Sequence, residues 1–368
     1  MLAQPKIAGK PYCCPDMKRL SILLAILGVG LGIGLVLGLG AGKVAHAIAS
    51  VGWSGFAILV GWQLAVLIVL AEAWRLLCRR GRFAALIFGR LVREGGTNIL
   101  PFSEVGGLAF GARAVTVAGI PWPRAIASSL ADVTAEFAGE LPFILFGFIM
   151  LVARSPHSPL AGPIAGGCGL VILAAAAMIW AEKHAARLFH GIGRLIARHF
   201  DRKAARGADV VEHEFGAILA HTKRLGTAAG LHLLGWIGGG ITVWLAYHLQ
   251  GGQIGVLPAI AIEGLASAAL AIAFLVPVGA GVQEAAYVAI GHLFGMPPEL
   301  SLGLSLLRRA RDIVIGAPPL VIWQIVEARR LRRRRASSGG EETRYIGGQQ
   351  SRAAPKTPSP PRRERGLG

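Results

Sequence analysis

Apolar positions in this chain are gathered into runs, and the runs come in two lengths. The long ones, Leu20–Ala41, Val51–Ala71, Ala125–Val152, Leu160–Ala181, Thr227–Leu249 and Glu299–Val326, each hold about twenty residues or more. At 1.5 Å per residue, a helix of that length covers the roughly 30 Å of bilayer hydrocarbon. Between them lie two interrupted pairs of shorter runs, Arg82–Gly119 and Pro258–Gly295, each broken near its middle by proline and glycine. The pattern predicts an all-α polytopic membrane protein with about six full spans plus two hairpins, eight or more membrane segments in all.

The interruptions repeat. At a constant offset of 176 residues, Pro101 falls on Pro277, Gly119 on Gly295, Pro121 on Pro297 and Pro142 on Pro318. Three of the four prolines in Asn98–Phe143 therefore land on prolines in Phe274–Pro319, which makes an internal duplication the reading of this stretch. Corresponding broken segments in two halves of a membrane protein are the best pointer in a sequence to a transport site. The second limbs, Val105–Gly119 and Gly281–Gly295, are shorter than a full crossing needs, so a re-entrant or broken-helix hairpin is expected in each half. Steeply tilted complete crossings are the alternative. Non-helical backbone at the tips, Leu100–Ser103 and Val276–Gly279, leaves amide groups that lipid cannot satisfy and that a polar cavity can.

Composition agrees with a membrane chain. Hydrophobic residues make up 54 % and charged residues 16 %, a balance soluble domains rarely show. The formal charge of +18 raises nucleic-acid binding, but 32 of the 38 Lys and Arg fall in only a few places. These are the first nineteen residues, Arg75–Arg93, Arg124, Lys183–Arg224 and the region after Val326. Loops at Gly42–Ser50, Ala153–Pro159 and Gln250–Leu257 hold only Lys43 and Arg154. Short loops rich in Lys and Arg stay cytoplasmic, which puts both termini inside and gives the two copies opposite orientations. The expected organisation is a cytoplasmic segment at 1–19, one membrane repeat at 20–152, and a second at 153–326 carrying a cytoplasmic connector at 182–225. A basic disordered cytoplasmic tail at 327–368 completes it. The two repeats are thus of inverted topology. No RNA-binding signature accompanies the charge, and Cys13, Cys14, Cys78 and Cys168 lack metal-ligand or CxxC spacing, so neither nucleic acid, a metal nor a cofactor is expected.

Within the apolar spans a few charges stand out. Asp132, Glu136 and Glu140 recur every four residues, which sets three carboxyl groups along one stripe of a helix. Each costs at least ~2.5 kcal/mol near the bilayer centre unless it faces protein or water. The offset of 176 sets Asp132 on Arg308 and Glu136 on Asp312, so an acidic helix in one half matches a basic helix, with Arg308, Arg309, Arg311 and Asp312, in the other. Meeting near the pseudo-twofold axis, these helices either lock the halves together or bind a lipid phosphate at Arg308 and Arg311 while Glu136 or Glu140 carries a proton. Glu104 and Arg113 in the first hairpin, and Gln283 and Glu284 in the second, are the other polar residues at cavity depth. Glu263 and His292 are weaker candidates, and His232 and His248 read as packing residues.

The run Leu100-Pro101-Phe102-Ser103-Glu104-Val105-Gly106-Gly107, followed by Arg113 and Gly119, resembles the first motif of the lysylphosphatidylglycerol synthase transmembrane family. Pro277-Val278-Gly279-Ala280-Gly281-Val282-Gln283-Glu284 resembles the second, with Gln283 where many members carry Arg. The resemblance covers roughly Lys18–Arg330 and leans toward the hopanoid-associated branch of the family. It implies a flippase-like domain in a bacterial inner membrane that handles a hopanoid or phospholipid, with hopanoid-biosynthesis proteins as candidate partners. Only a short polar tail follows Arg335, so the aminoacyl-transferase chemistry of the full-length synthases is not expected. The expected function is a lipid translocase or lipid-transport factor. An assembly protein for hopanoid enzymes and a lipid-modifying enzyme are its rivals. The absence of HExxH, GxSxG and P-loop motifs weighs against the enzyme.

Overall fold

The computed structural model describes residues 41–99, 103–154, 202–272 and 281–352, together with Leu173. The regular elements among the described residues are all helices. In chain order they are α1 (Ala41–Cys78), α2 (Phe83–Ile99), α3 (Ser103–Val117), α4 (Trp122–Arg154), α5 (Arg202–Leu219), α6 (Thr222–Leu249), α7 (Val256–Ile272), α8 (Val282–Leu293) and α9 (Pro298–Arg352). Three of them are long and apolar enough to cross a membrane, Ala49–Cys78 within α1, α4 and α6. The spans expected at Leu20–Ala41 and Leu160–Ala181 lie outside the described residues apart from Ala41 and Leu173. Two compact units make up the chain, Met1–Leu320 and Val321–Gly368. The bundle belongs to the first. The second begins inside α9, whose helix runs to Arg352, so most of the tail expected to be disordered at 327–368 is helical.

The loop expected at Gly42–Ser50 is instead helical. It joins the following span through a kink at Gly52, whose φ of 61° and ψ of 176° suit a residue without Cβ. The proline and glycine punctuation acquires a structural meaning. Gly119 (φ 92°) and Gly295 (φ 83°) both adopt the left-handed conformation that ends α3 and α8, and Pro121 and Pro297 immediately precede α4 and α9. Pro142 and Pro318, the third matched pair, both sit inside the long helices that follow.

Helix directions follow from which residues meet. In the first hairpin, a Cβ on Gly96 would stand 2.9 Å from Gly107, and one on Gly89 would stand 2.4 Å from Val115. Ascending numbers on α2 therefore meet descending ones on α3, and the limbs are antiparallel. At 15 and 12 residues, α3 and α8 measure about 22 and 18 Å, short of the roughly 30 Å of hydrocarbon. Helices α1 and α6 also cross antiparallel, with Gly55 against Leu249 and Gly235 against Leu70. At their crossing the Trp62 indole N–H donates to the Gly238 carbonyl at 2.8 Å, a pair separated by 176 residues. That is the offset of the proline punctuation. Helix α4 runs parallel to α6, since His232 meets Asp132 and Trp236 meets Glu136, both 100 residues apart. It runs antiparallel to α7, where Gly264 touches the Phe143 carbonyl and Gly147 the Ala261 carbonyl.

Apolar packing fills both ends of this bundle. One cluster gathers Leu59, Val243, Tyr247, Ile262, Leu265, Tyr287, Phe294 and Leu304. Another joins Ala73, Leu77, Ala127 and Ala131 to Phe215 and Ile218, the apolar face of α5. The connector helix is thus docked on protein along that face, while Asp209 and Val210 remain exposed. Helix α2 reaches α9 at Gly95, where an added Cβ would stand 2.4 Å from the Gly316 carbonyl oxygen.

Candidate functional site

Two ion clusters lie in the bundle. The first is built from α2, α4 and α6, with Arg93, Asp132 and His232 each ten residues after the start of their helix, or about 15 Å along it. That is half of the hydrocarbon thickness. The Asp132 carboxylate, fully buried, accepts from Arg93 Nη1 at 2.8 Å and Arg90 Nη1 at 3.1 Å on one oxygen. His232 Nε2 stands 3.0 Å from the other. Glu136, one turn on, accepts from Arg93 Nη2 at 2.6 Å and faces Arg90 Nη2 at 3.4 Å. Arg90 Nε also lies 3.0 Å from Glu94 of its own helix. The i, i+3 spacing of Arg90 and Arg93 and the i, i+4 spacing of Asp132 and Glu136 put each pair on one helix face, so two forks meet two carboxylates.

The second cluster joins α7, α8 and α9, with Arg308 again ten residues into its helix. Glu263 is the acceptor. It takes a hydrogen bond from Tyr287 Oη at 2.6 Å and one from Arg308 Nη1, and the Arg308 guanidinium lies 5.3 Å over the Tyr287 ring. Beside it Arg309 grips Glu284, which also accepts from the Gly281 N–H at 2.8 Å and so caps the start of α8. Gln283 Nε2 donates to Ser305 Oγ at 2.9 Å, and Arg311 pairs with its neighbour Asp312 at 2.7 Å.

The clusters are mates with their charges exchanged. In the first, the hairpin limb α2 carries the cations and the long helix α4 the carboxylates. In the second, the limb α7 carries the carboxylate and the long helix α9 the cations. This corrects the expected pairing. Among the described residues Asp132 and Glu136 of α4 pair with Arg90 and Arg93 of their own half, and Arg308 and Arg309 of α9 with Glu263 and Glu284. Arg90 and Arg93, which the charge distribution groups with the cytoplasmic residues, are both buried. A short hairpin limb brought against a long helix allows this neighbouring solution. Buried charge is satisfied at the nearest opposite group, and removing either partner leaves the other uncompensated.

Of the other expected residues, Glu140 is buried one turn beyond Glu136 and Arg113 is half-buried in α3. Gly107 is pressed against Thr97 and the Arg93 carbonyl, and a Cβ on Gly106 would meet nothing within 4 Å among the described residues. Pro101, Pro277 and Gly279 lie outside the described residues, as does the side chain of Glu104. Sequence reasoning missed Arg90, Arg93, Tyr287 and His232. A signal existed for the arginines, because two cations at helical spacing interrupt an apolar segment well past the loop at Arg79–Arg82. None existed for His232, whose importance is its reach across from α6 to Asp132.

Fold and site together define an all-α, multi-pass membrane protein with buried ion networks between its helices. Residues 21–318 match the lysylphosphatidylglycerol synthase TM region, and the chain belongs to that family. Membership points to a membrane lipid-related function. Among curated proteins, none matches the chain.

Proposed function

We propose that the protein is a lipid translocase or lipid-transport factor of a bacterial inner membrane, with both termini cytoplasmic, and that it performs no covalent chemistry. The reading rests on one observation, the pair of charge-exchanged clusters at mid-depth, each fastening the first limb of a short hairpin to a long helix. Ion pairs in this position hold each hairpin against the long helix of its own half and can be traded for equivalent contacts with a polar head group. A zwitterionic head group has a phosphate for Arg308 and Arg309 and an ammonium for Asp132 and Glu136. Antiparallel α1 and α6, meeting at Trp62 and Gly238, suit halves that exchange inward-facing and outward-facing shapes. The cargo we favour is a hopanoid or a phospholipid, with hopanoid-biosynthesis proteins as partners.

The test is reconstitution into vesicles carrying a head-group-labelled phospholipid or an amine-bearing hopanoid, with leaflet exchange followed by quenching of the outer label. Wild type should exceed empty vesicles, and Arg308→Lys, which keeps the charge but loses the fork, should slow exchange about tenfold or more. Exchange no faster than in empty vesicles, for either lipid, would sink the proposal.

A further inference from the structure

The bundle also carries a basic cleft that the transport reading does not use. It lies where the end of α1, the start of α4 and the α5–α6 turn converge, holds about 90 Å³, and is lined by Arg79, Arg124, His221 and Arg224 over Leu77 and Ile218. Arg124 forms its wall. Its Nε donates to the Cys78 carbonyl at 2.9 Å and its Nη1 to Glu214 at 2.7 Å, which ties α5 to the end of α1. The other basic groups are treated differently from those at mid-depth. Arg90, Arg93, Arg308, Arg309 and Arg311 all face carboxylates, whereas no described carboxylate pairs with Arg79 or Arg224. Arg79 is, besides, the one non-glycine residue among those described with positive φ, 52°. A backbone held in the left-handed region just past a helix end turns this side chain away from the path it would take on α1.

Depth is marked by aromatic residues. Trp122, 46 % exposed, opens α4 two residues before Arg124, and Phe83 is exposed at the start of α2. Exposed Trp beside Arg at a bundle end belongs to the head-group layer. We propose that this cleft binds a phosphate-ester anion, the head-group phosphate of an anionic glycerophospholipid of the same leaflet. Arg79, Arg224 and His221 would hold the phosphate and Leu77 and Ile218 the first carbons of the chains. Guanidinium forks suit a phosphate oxygen pair, and the apolar floor distinguishes the site from a solvated basic patch. The site stands independently of whether the protein moves lipid.

The experiment uses the full chain in nanodiscs. Thermal unfolding and retained lipid, the latter by native mass spectrometry, are compared in phosphatidylcholine alone, with added phosphatidylglycerol, and with inorganic phosphate at matched ionic strength. Phosphatidylglycerol should raise the unfolding midpoint and be retained, and Arg79→Gln with Arg224→Gln should weaken it about tenfold. Arg329→Gln with Arg330→Gln, equal in charge change but elsewhere, should leave it unaltered. Stabilisation by inorganic phosphate as well would assign the affinity to the phosphate group itself. If the double variant fails to fold, His221→Gln and the wild-type lipid retention carry the test. Equal binding by wild type and cleft variants, an equal loss in the Arg329 and Arg330 control, or no effect of either anion would overturn the proposal.

Discussion

Replacing Arg93 by Gln removes one cation from a cluster that holds two. Arg93 stands 2.8 Å from Asp132 and 2.6 Å from Glu136, with its side chain 10 % exposed. After the change Arg90 alone faces Asp132, Glu136 and Glu94. Stripping one partner from a buried pair costs about 3–5 kcal/mol, mostly through the charge left behind. Asp132→Asn acts in the other direction. It leaves two arginines with two carboxylates, Glu94 and Glu136, so its loss is smaller, about 1–3 kcal/mol for donors no longer well satisfied. The double variant returns to the wild-type excess of one carboxylate over the arginines and should be less destabilised than the sum of the singles by at least ~1.5 kcal/mol, within the range seen for residues in one network. Unfolding in mixed micelles, titrated with denaturing detergent and followed by tryptophan fluorescence, measures all four corners of the cycle. Additivity to within about 0.5 kcal/mol would refute the network as described.

Neighbouring glycines should behave oppositely. Gly107→Ala places a Cβ 2.1 Å from Thr97 Oγ1 and 2.7 Å from the Arg93 carbonyl, so a loss of about 1–3 kcal/mol is expected in the same assay. Gly106→Ala meets nothing within 4 Å among the described residues and should be neutral or slightly stabilising, by up to ~1 kcal/mol from helix propensity. Trp62→Phe deletes the 2.8 Å bond at the α1–α6 crossing and should cost about 1 kcal/mol without altering the protein's orientation in the membrane, checked by cysteine labelling from either side. Glu263→Gln should weaken the hold of Arg308 and Tyr287 on α7, raising hydrogen exchange in α7 and α8 while α2 and α3 stay protected. Exchange rising equally in both hairpins would contradict separate clusters.

Much of the architecture is legible along the chain, because the bilayer imposes a length on its helices and proline and glycine impose breaks. Those constraints are local. The run lengths gave α4 and α6, and the matched Gly119 and Gly295 marked two helix ends that adopt the same left-handed turn. The same offset of 176 separates Trp62 from Gly238, which meet at the α1–α6 crossing, a contact that duplication alone does not predict. Asp132 and Glu136 could be picked out because charge inside an apolar run is costly wherever the fold puts it. Their partners were another matter. A carboxylate pairs with whichever cation lies within a few ångströms, and whether that is Arg308 or Arg93 depends on how a hairpin leans on a helix. Spacing within one helix holds no information about that approach. For the same reason the reach of His232 across from α6, and the convergence of Arg79, Arg124 and Arg224 from three separate segments on one cleft, were decided only when the helices packed.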